Sequence, residues 1–119
     1  MKPRLLIVVV AMLLALQIVA MQIPAGRPNQ NPAPSFTYSP QIPAPDELIT
    51  FNASASYDPD GSIVQYRWDF GDGAISILTG PVATHSYPVD GNYTVELIAT
   101  DNSGAAATTT AVVQVSTVI

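Results

Sequence analysis

The amino-acid sequence predicts an all-β fold, an antiparallel two-sheet sandwich of about seven strands preceded by an N-terminal hydrophobic helix. Three observations lead there. After residue 35 apolar side chains recur with period 2 and not with the period of a helix. Asp, Asn and Gly cluster between those runs, where Asx hydrogen bonds and positive φ make turns. The 48% hydrophobic content is unevenly placed, because a leader of almost unbroken apolarity precedes a segment of ordinary sandwich composition.

The leader occupies residues 1–23. Lys2 and Arg4 precede an apolar run interrupted only by Gln17 and Gln22, the order of a charged n-region and an apolar h-region. Cations stay on the cytoplasmic side, so the remainder should cross the membrane. Residues 5–23, rising 1.5 Å each, would reach roughly 28 Å, near the ~30 Å hydrocarbon core. The segment is therefore read as a signal peptide or a transmembrane anchor through residues 5–23, and the protein as extracytoplasmic. Seven prolines fall between residues 24 and 45, which forbids helix and favours extended chain. Residues 24–35 are read as a semi-rigid Pro-rich linker and residues 36–118 as the folded domain.

Within that domain the strands are expected in order. A short one is placed at 35–38. Ile49, Phe51 and Ala53 then alternate with Thr50, Asn52 and Ser54. Val64, Tyr66, Trp68 and Phe70 alternate with Gln65, Arg67 and Asp69. Short candidates follow at 75–78 and 82–87. Tyr93, Val95, Leu97 and Ala99 alternate with Thr94, Glu96 and Thr100, and Ala111, Val113 and Val115 close the chain. Trp68 in the third strand is similar to the buried tryptophan of immunoglobulin-like sandwiches, and Gly91-Asn92-Tyr93 to a tyrosine corner. Tyr38, Tyr57 and Tyr66 are expected to pack, with sugar stacking as the other use of such rings.

Charge and composition exclude several functions. From Pro28 onward one cation, Arg67, faces nine carboxylates, a balance of −8. Such a surface repels phosphates, so nucleic acid is not an expected partner. The absence of cysteine excludes disulfide frameworks, thiolate metal sites and thiol redox chemistry.

Five motifs then occur in order: Tyr57-Asp58-Pro59-Asp60-Gly61, Trp68-Asp69-Phe70-Gly71-Asp72-Gly73, His85-Ser86-Tyr87, Gly91-x-Tyr93-x-Val95 and Asp101-Asn102-Ser103-Gly104. Together they resemble the PKD (polycystic kidney disease) domain family over about residues 34–115. The resemblance implies an extracellular, non-catalytic β-sandwich used in protein–protein or protein–carbohydrate contacts or as a spacer. It also implies a scaffold role for His85.

No residue pattern calls for an enzyme. His85 is the one histidine, and Ser86 beside it on a strand points to the opposite face. Asp69 and Asp72 read as turn-formers rather than as a glycosidase pair. A metal is the sharper expectation. Alternate connections of an antiparallel sandwich meet at one end, which places the Asp58–Asp60 turn beside the Asp101–Asn102 turn. Asp58, Asp60 and Asp101 are thus candidate calcium ligands, with Asn31 able to approach the same end. The resemblance points the same way, since some PKD domains of secreted bacterial enzymes bind calcium near these loops. Ordinary turn chemistry alone also explains Asp-Pro-Asp-Gly. No cofactor is required beyond this possible calcium. Asn52-Ala53-Ser54 and Asn92-Tyr93-Thr94 make Asn52 and Asn92 glycosylation candidates. The function expected is a non-catalytic surface module contacting envelope proteins or glycans, in adhesion, envelope assembly or spacing. A subunit of a self-assembling filament and an accessory domain of a secreted hydrolase are the alternatives.

Overall fold

The computed structural model describes residues 26–117, so the helix expected over residues 1–23 lies outside the described residues. Seven strands form: β1 (Thr37–Ser39), β2 (Ile49–Asn52), β3 (Ile63–Asp69), β4 (Ile75–Leu78), β5 (Val82–His85), β6 (Gly91–Asp101) and β7 (Ala106–Val115). They build a three-stranded sheet in the order β1-β2-β5 and a four-stranded sheet in the order β4-β3-β6-β7, antiparallel throughout. Among the described residues no helix is long and apolar enough to cross a membrane.

The period-2 pattern becomes the core. Ile49 and Phe51 of β2, Trp68 of β3 with Phe70 just after it, Tyr87, and Val95 and Leu97 of β6 are all at most 1% exposed. Phe51 faces Trp68 and Phe70 across the sandwich, with ring centroids 5.6 and 5.4 Å apart. Removing a buried ring of this kind leaves a cavity and costs about 3–5 kcal/mol. Tyr93 donates from its hydroxyl to the Val89 carbonyl at 2.7 Å, four residues upstream, as a tyrosine corner does.

Four expectations change. The first strand runs from Thr37 to Ser39 rather than over residues 35–38. Val64 was expected to point inward but is 46% exposed, because the β3–β6 register shifts between Ile63 and Gln65. That bulge turns Val64 outward and lets Ile63 pack on the core instead. Of the three tyrosines expected to pack, Tyr66 is 8% exposed and Tyr38 lies against the core, whereas Tyr57 is 61% exposed. Finally, part of the presumed linker belongs to the domain. Ala33 pairs with Tyr57 through two backbone hydrogen bonds, and the Ser35 N–H donates to Ser56 Oγ at 2.8 Å. Prolines that bar a helix do not bar an added edge segment.

The turn between β3 and β4 depends on two glycines with φ of 80° at Gly71 and 93° at Gly73. A methyl group on Gly71 would stand 2.5 Å from the Thr94 carbonyl oxygen, whereas one on Gly73 meets nothing within 4 Å. Gly73→Ala should therefore cost only the left-handed backbone penalty, about 1–2 kcal/mol. Gly71→Ala should cost clearly more, at least about 3 kcal/mol, since a backbone must also move. Urea unfolding midpoints of the two variants check this order.

Candidate functional site

Two clusters of polar side chains form at opposite ends of the sandwich. At one end the turn after β3 brings Asp72 against His85 of β5, with Nε2 and Oδ2 2.8 Å apart. This is the one ion pair among the described residues. Asp69 and Asp72 each accept a local backbone N–H, from Gly71 at 3.0 Å and Ala74 at 3.1 Å. Both therefore act as the Asx turn-formers their spacing suggests. His85 stacks on Phe70, with centroids 4.2 Å apart, and meets Tyr87 edge-on at 4.7 Å. The Tyr87 hydroxyl is buried and donates to the Phe70 carbonyl at 2.7 Å. Burial pushes the Tyr87 hydroxyl well above its ordinary pKa, and the nearby Asp72 charge adds to the shift. His85 thus ties one sheet to the other, with its Nε2 already engaged by Asp72.

The second cluster lies where the turn between β2 and β3 meets the turn between β6 and β7. The Asn102 N–H donates to the Ser62 carbonyl at 2.9 Å, and the Ser62 N–H returns to Asn102 Oδ1 at 3.1 Å. Gly61 sits in the crease, where a Cβ would collide with the side chains of Asn102 and Asp58. This docking gathers Asp58, Asp60 and Asp101, with one carboxylate oxygen of each within 4.8 Å of the others.

The three acids are held differently. Asp101 is 1% exposed; its Oδ1 accepts the N–H groups of Ser103 and Ala105, each at 2.9 Å. Its Oδ2 accepts the Asn29 side-chain amide at 2.8 Å. The Asn29 amide and the backbone N–H groups of residues 103–105 hold Asp101 below the usual carboxylate range, against the opposing effect of burial. Asp60 Oδ2 accepts the Gln30 N–H at 2.9 Å. Asp58 has no such support. Both its oxygens are inaccessible and lack any hydrogen-bond partner. Desolvation, then the charges of Asp60 and Asp101, raise its pKa. Asn31, expected near this end, is exposed, and no hydrogen bond joins it to the three acids among the described residues. Asn29 and Gln30 take that place. The sequence offered no signal for them, because their contacts come from where the preceding segment lies.

The glycosylation candidates are both exposed. Asn52 sits on β2 with its Oδ1 accepting the Ser54 N–H at 2.9 Å, and Asn92 lies near the start of β6.

Comparison with known proteins adds the following. The sequence model of the PKD domain family matches residues 29–116. The microbial collagenase of Vibrio alginolyticus is 49% identical over 70 residues, which are 59% of this chain and 8% of the collagenase. The pre-pro-metalloprotease PrtV of Vibrio cholerae is 35% identical over 89 residues, 75% of this chain and 9% of that protein. The chain thus spans under a tenth of the length of these relatives. Among solved structures, the PKD1 domain of Vibrio anguillarum Epp superposes with a TM-score of 0.66 at 35% identity, covering 76% of this chain and all of that one. A structure from work on the promiscuous specificity of carbohydrate-binding modules of the β-sandwich superfamily gives 0.74 at 47% identity. That match covers 76% of this chain and 36% of the other.

The Asp72 carboxyl yields a pH prediction. Burial alone would raise its pKa, but the bonds from His85 and the Ala74 N–H, with the His85 charge, hold it below the ordinary 3.8. A lowered folded-state pKa contributes stability above the unfolded value and loses it as pH falls through the folded one. Asp72→Asn should therefore cost about 1 kcal/mol at pH 7 and close to nothing near pH 2. Urea midpoints across that range check the convergence.

Proposed function

The chain belongs to the PKD domain family, and on that premise we propose that it is a non-catalytic extracytoplasmic module, stabilised by calcium, that contacts protein or glycan partners. The observation that carries the calcium reading is Asp58: two inaccessible carboxylate oxygens without a hydrogen bond, aimed at two more carboxylates. An uncompensated buried carboxylate is costly, and a cation is the economical partner for three of them. Hard oxygen donors suit calcium, whose ligands lie at about 2.3–2.6 Å. Carboxylate oxygens on opposite sides of such an ion would be about 4.8 Å apart, and the observed spread is within 4.8 Å. Asp58, Asp60 and Asp101 would hold the ion, while Asn29 and Gln30 fix two of those ligands in place. The bound ion would supply charge neutralisation and a crosslink between two turns, with no chemistry on a substrate.

The stability consequences have a definite sign. A raised folded-state pKa means that Asp58 favours folding while protonated and loses that contribution as pH rises through its folded value. Without cation at pH 7, Asp58→Asn should be more stable than the wild type. Calcium at about 100 times its Kd should stabilise the wild type by about 2.7 kcal/mol, roughly 10–20 °C in Tm, and the variant hardly at all. The wild-type shift should shrink as pH falls toward Asp58's raised pKa. Thermal unfolding with and without calcium decides this, and equal shifts in both proteins would sink it.

The partner class draws support from the relatives. The matched proteases are named as collagenases and a metalloprotease, and one structural neighbour comes from work on carbohydrate-binding modules. An accessory role beside a hydrolase, delivered through binding to a polymer, is consistent with both. The full chain should cosediment with insoluble collagen or with cellulose and should release no soluble fragments from either. Retention by neither polymer would remove this reading and leave the calcium proposal untouched.

A further inference from the structure

The four-stranded sheet has one face in the core and one face outward, and the outward face carries an unusual charge arrangement. Its cross-strand register sets two neighbouring rows. One reads Ile77, Arg67, Ile98, Thr108 from β4 to β7; the next reads Ile75, Asp69, Glu96, Thr110. Ile75 and Ile77 are 50% and 60% exposed. Arg67, the one cation after Arg27, is half-buried between two isoleucines and closes no ion pair among the described residues. Asp69 and Glu96 stand directly opposite each other, a like-charged pair that disfavours the sheet, and neither is neutralised. Asp69 uses only Oδ1 in its turn, leaving Oδ2 for another partner.

We propose that this face docks on the same face of a second copy of the chain. The case rests on charge self-complementarity. A two-fold axis running across the strands, midway between the two rows, superposes each row on the other row of the partner. Arg67 then lies over Asp69 of the second copy, and by symmetry Asp69 lies over the second Arg67, with Glu96 one strand away. Ile75 meets the second Ile77 in the same operation. One isologous contact thus gives each Arg67 an acid partner, sets a cation one strand from each Glu96 and covers Ile75 and Ile77 of both copies, while Ile98 comes to lie over the second Glu96. The other carboxylates lie off these rows, in turns and loops or, for Asp101, buried at the end of β6. At physiological ionic strength charges more than about 8 Å away are largely screened, so the balance of −8 opposes the contact weakly. The inference is independent of the calcium reading, which concerns the loop end.

The absence of cysteine makes the test direct. Full-length Ile75→Cys and Ile77→Cys chains carrying different tags are mixed and oxidised with copper phenanthroline. The mixed disulfide should exceed both self-pairs and stand about tenfold above the yield of Val82→Cys, on the outer face of the other sheet. Adding Arg67→Glu to both chains should cut that yield about tenfold, while their Tm shows that they remain folded. A mixed yield no higher than the Val82→Cys control overturns the proposal. So does a yield that Arg67→Glu leaves unchanged, or self-pairs that outrun the mixed product.

Discussion

Phe51 of β2 reaches across the sandwich to Trp68 and Phe70, and the other inter-sheet contacts are arranged around that meeting. The constraint behind it is the lack of cysteine: the sheets are held together without a covalent link. Packing supplies the link, in an aromatic column that continues from Phe70 to His85, Tyr87 and Tyr93 with centroids 4.0–4.7 Å apart. Stacked and edge-on rings of this kind add about 0.5–1.5 kcal/mol per pair beyond their burial. The column runs from Phe70 after β3 through His85 of β5 and Tyr87 just beyond it to Tyr93 of β6, so it fastens the end of β5 to the β3–β6 layer. His85, Tyr87 and Tyr93 bond to Asp72 and to the Phe70 and Val89 carbonyls and so bring the stack's rim to the surface, while the Trp68 Nε1 deeper in the stack is buried without a partner.

The same economy does not hold at the opposite end. There the turns are pinned to each other by backbone and by Asn102, and the preceding segment is pinned to them by Asn29 and Gln30. The buried side-chain atoms of this junction left without a hydrogen-bond partner are the two oxygens of Asp58. A small domain has a net stability of only about 5–15 kcal/mol, so an unmatched buried carboxylate is a large term. The proposed cation would supply the partner that Asp58 lacks. The contrast between Asp101, lowered by four donors, and Asp58, raised by burial and two like charges, locates the incomplete point within one side chain.

Most of the fold was legible because its signal is local. Alternation at Ile49–Phe51, Tyr66–Trp68–Phe70 and Tyr93–Val95–Leu97 reports which face is buried, and the Asp/Asn/Gly clusters report where the chain turns. Val64 misled because a bulge resets the alternation by one residue, and nothing in Ser62-Ile63-Val64 marks the extra residue. The loop end was legible in part. Antiparallel connectivity brings Asp58, Asp60 and Asp101 to one end, but the choice of Asn29 over Asn31 depends on the path of a proline-rich segment that has no period. Composition assigns residues 24–35 to a linker, although Ala33 and Ser35 spend their backbone groups on residues 56 and 57. Proline content restricts φ and removes donors; it carries no information on whether the remaining donors find partners.

The net charge of the domain follows a related division. Its acids fall into three settings: turn-formers such as Asp69 and Asp72, the loop cluster, and the outward face where Asp69 also meets Glu96. In the first, local N–H groups stabilise the charge within the chain. In the second, N–H groups support Asp101 and Asp60 but not Asp58, and in the third the Asp69–Glu96 pair meets no cation among the described residues. Charge left uncompensated among the described residues is what the proposed cation at one end and the proposed second copy on the open sheet would complete. Arg67, in register with Ile77 and Ile98 and in no ion pair with Asp69 or Glu96 among the described residues, fits the proposed contact with a second copy better than a role within its own sheet.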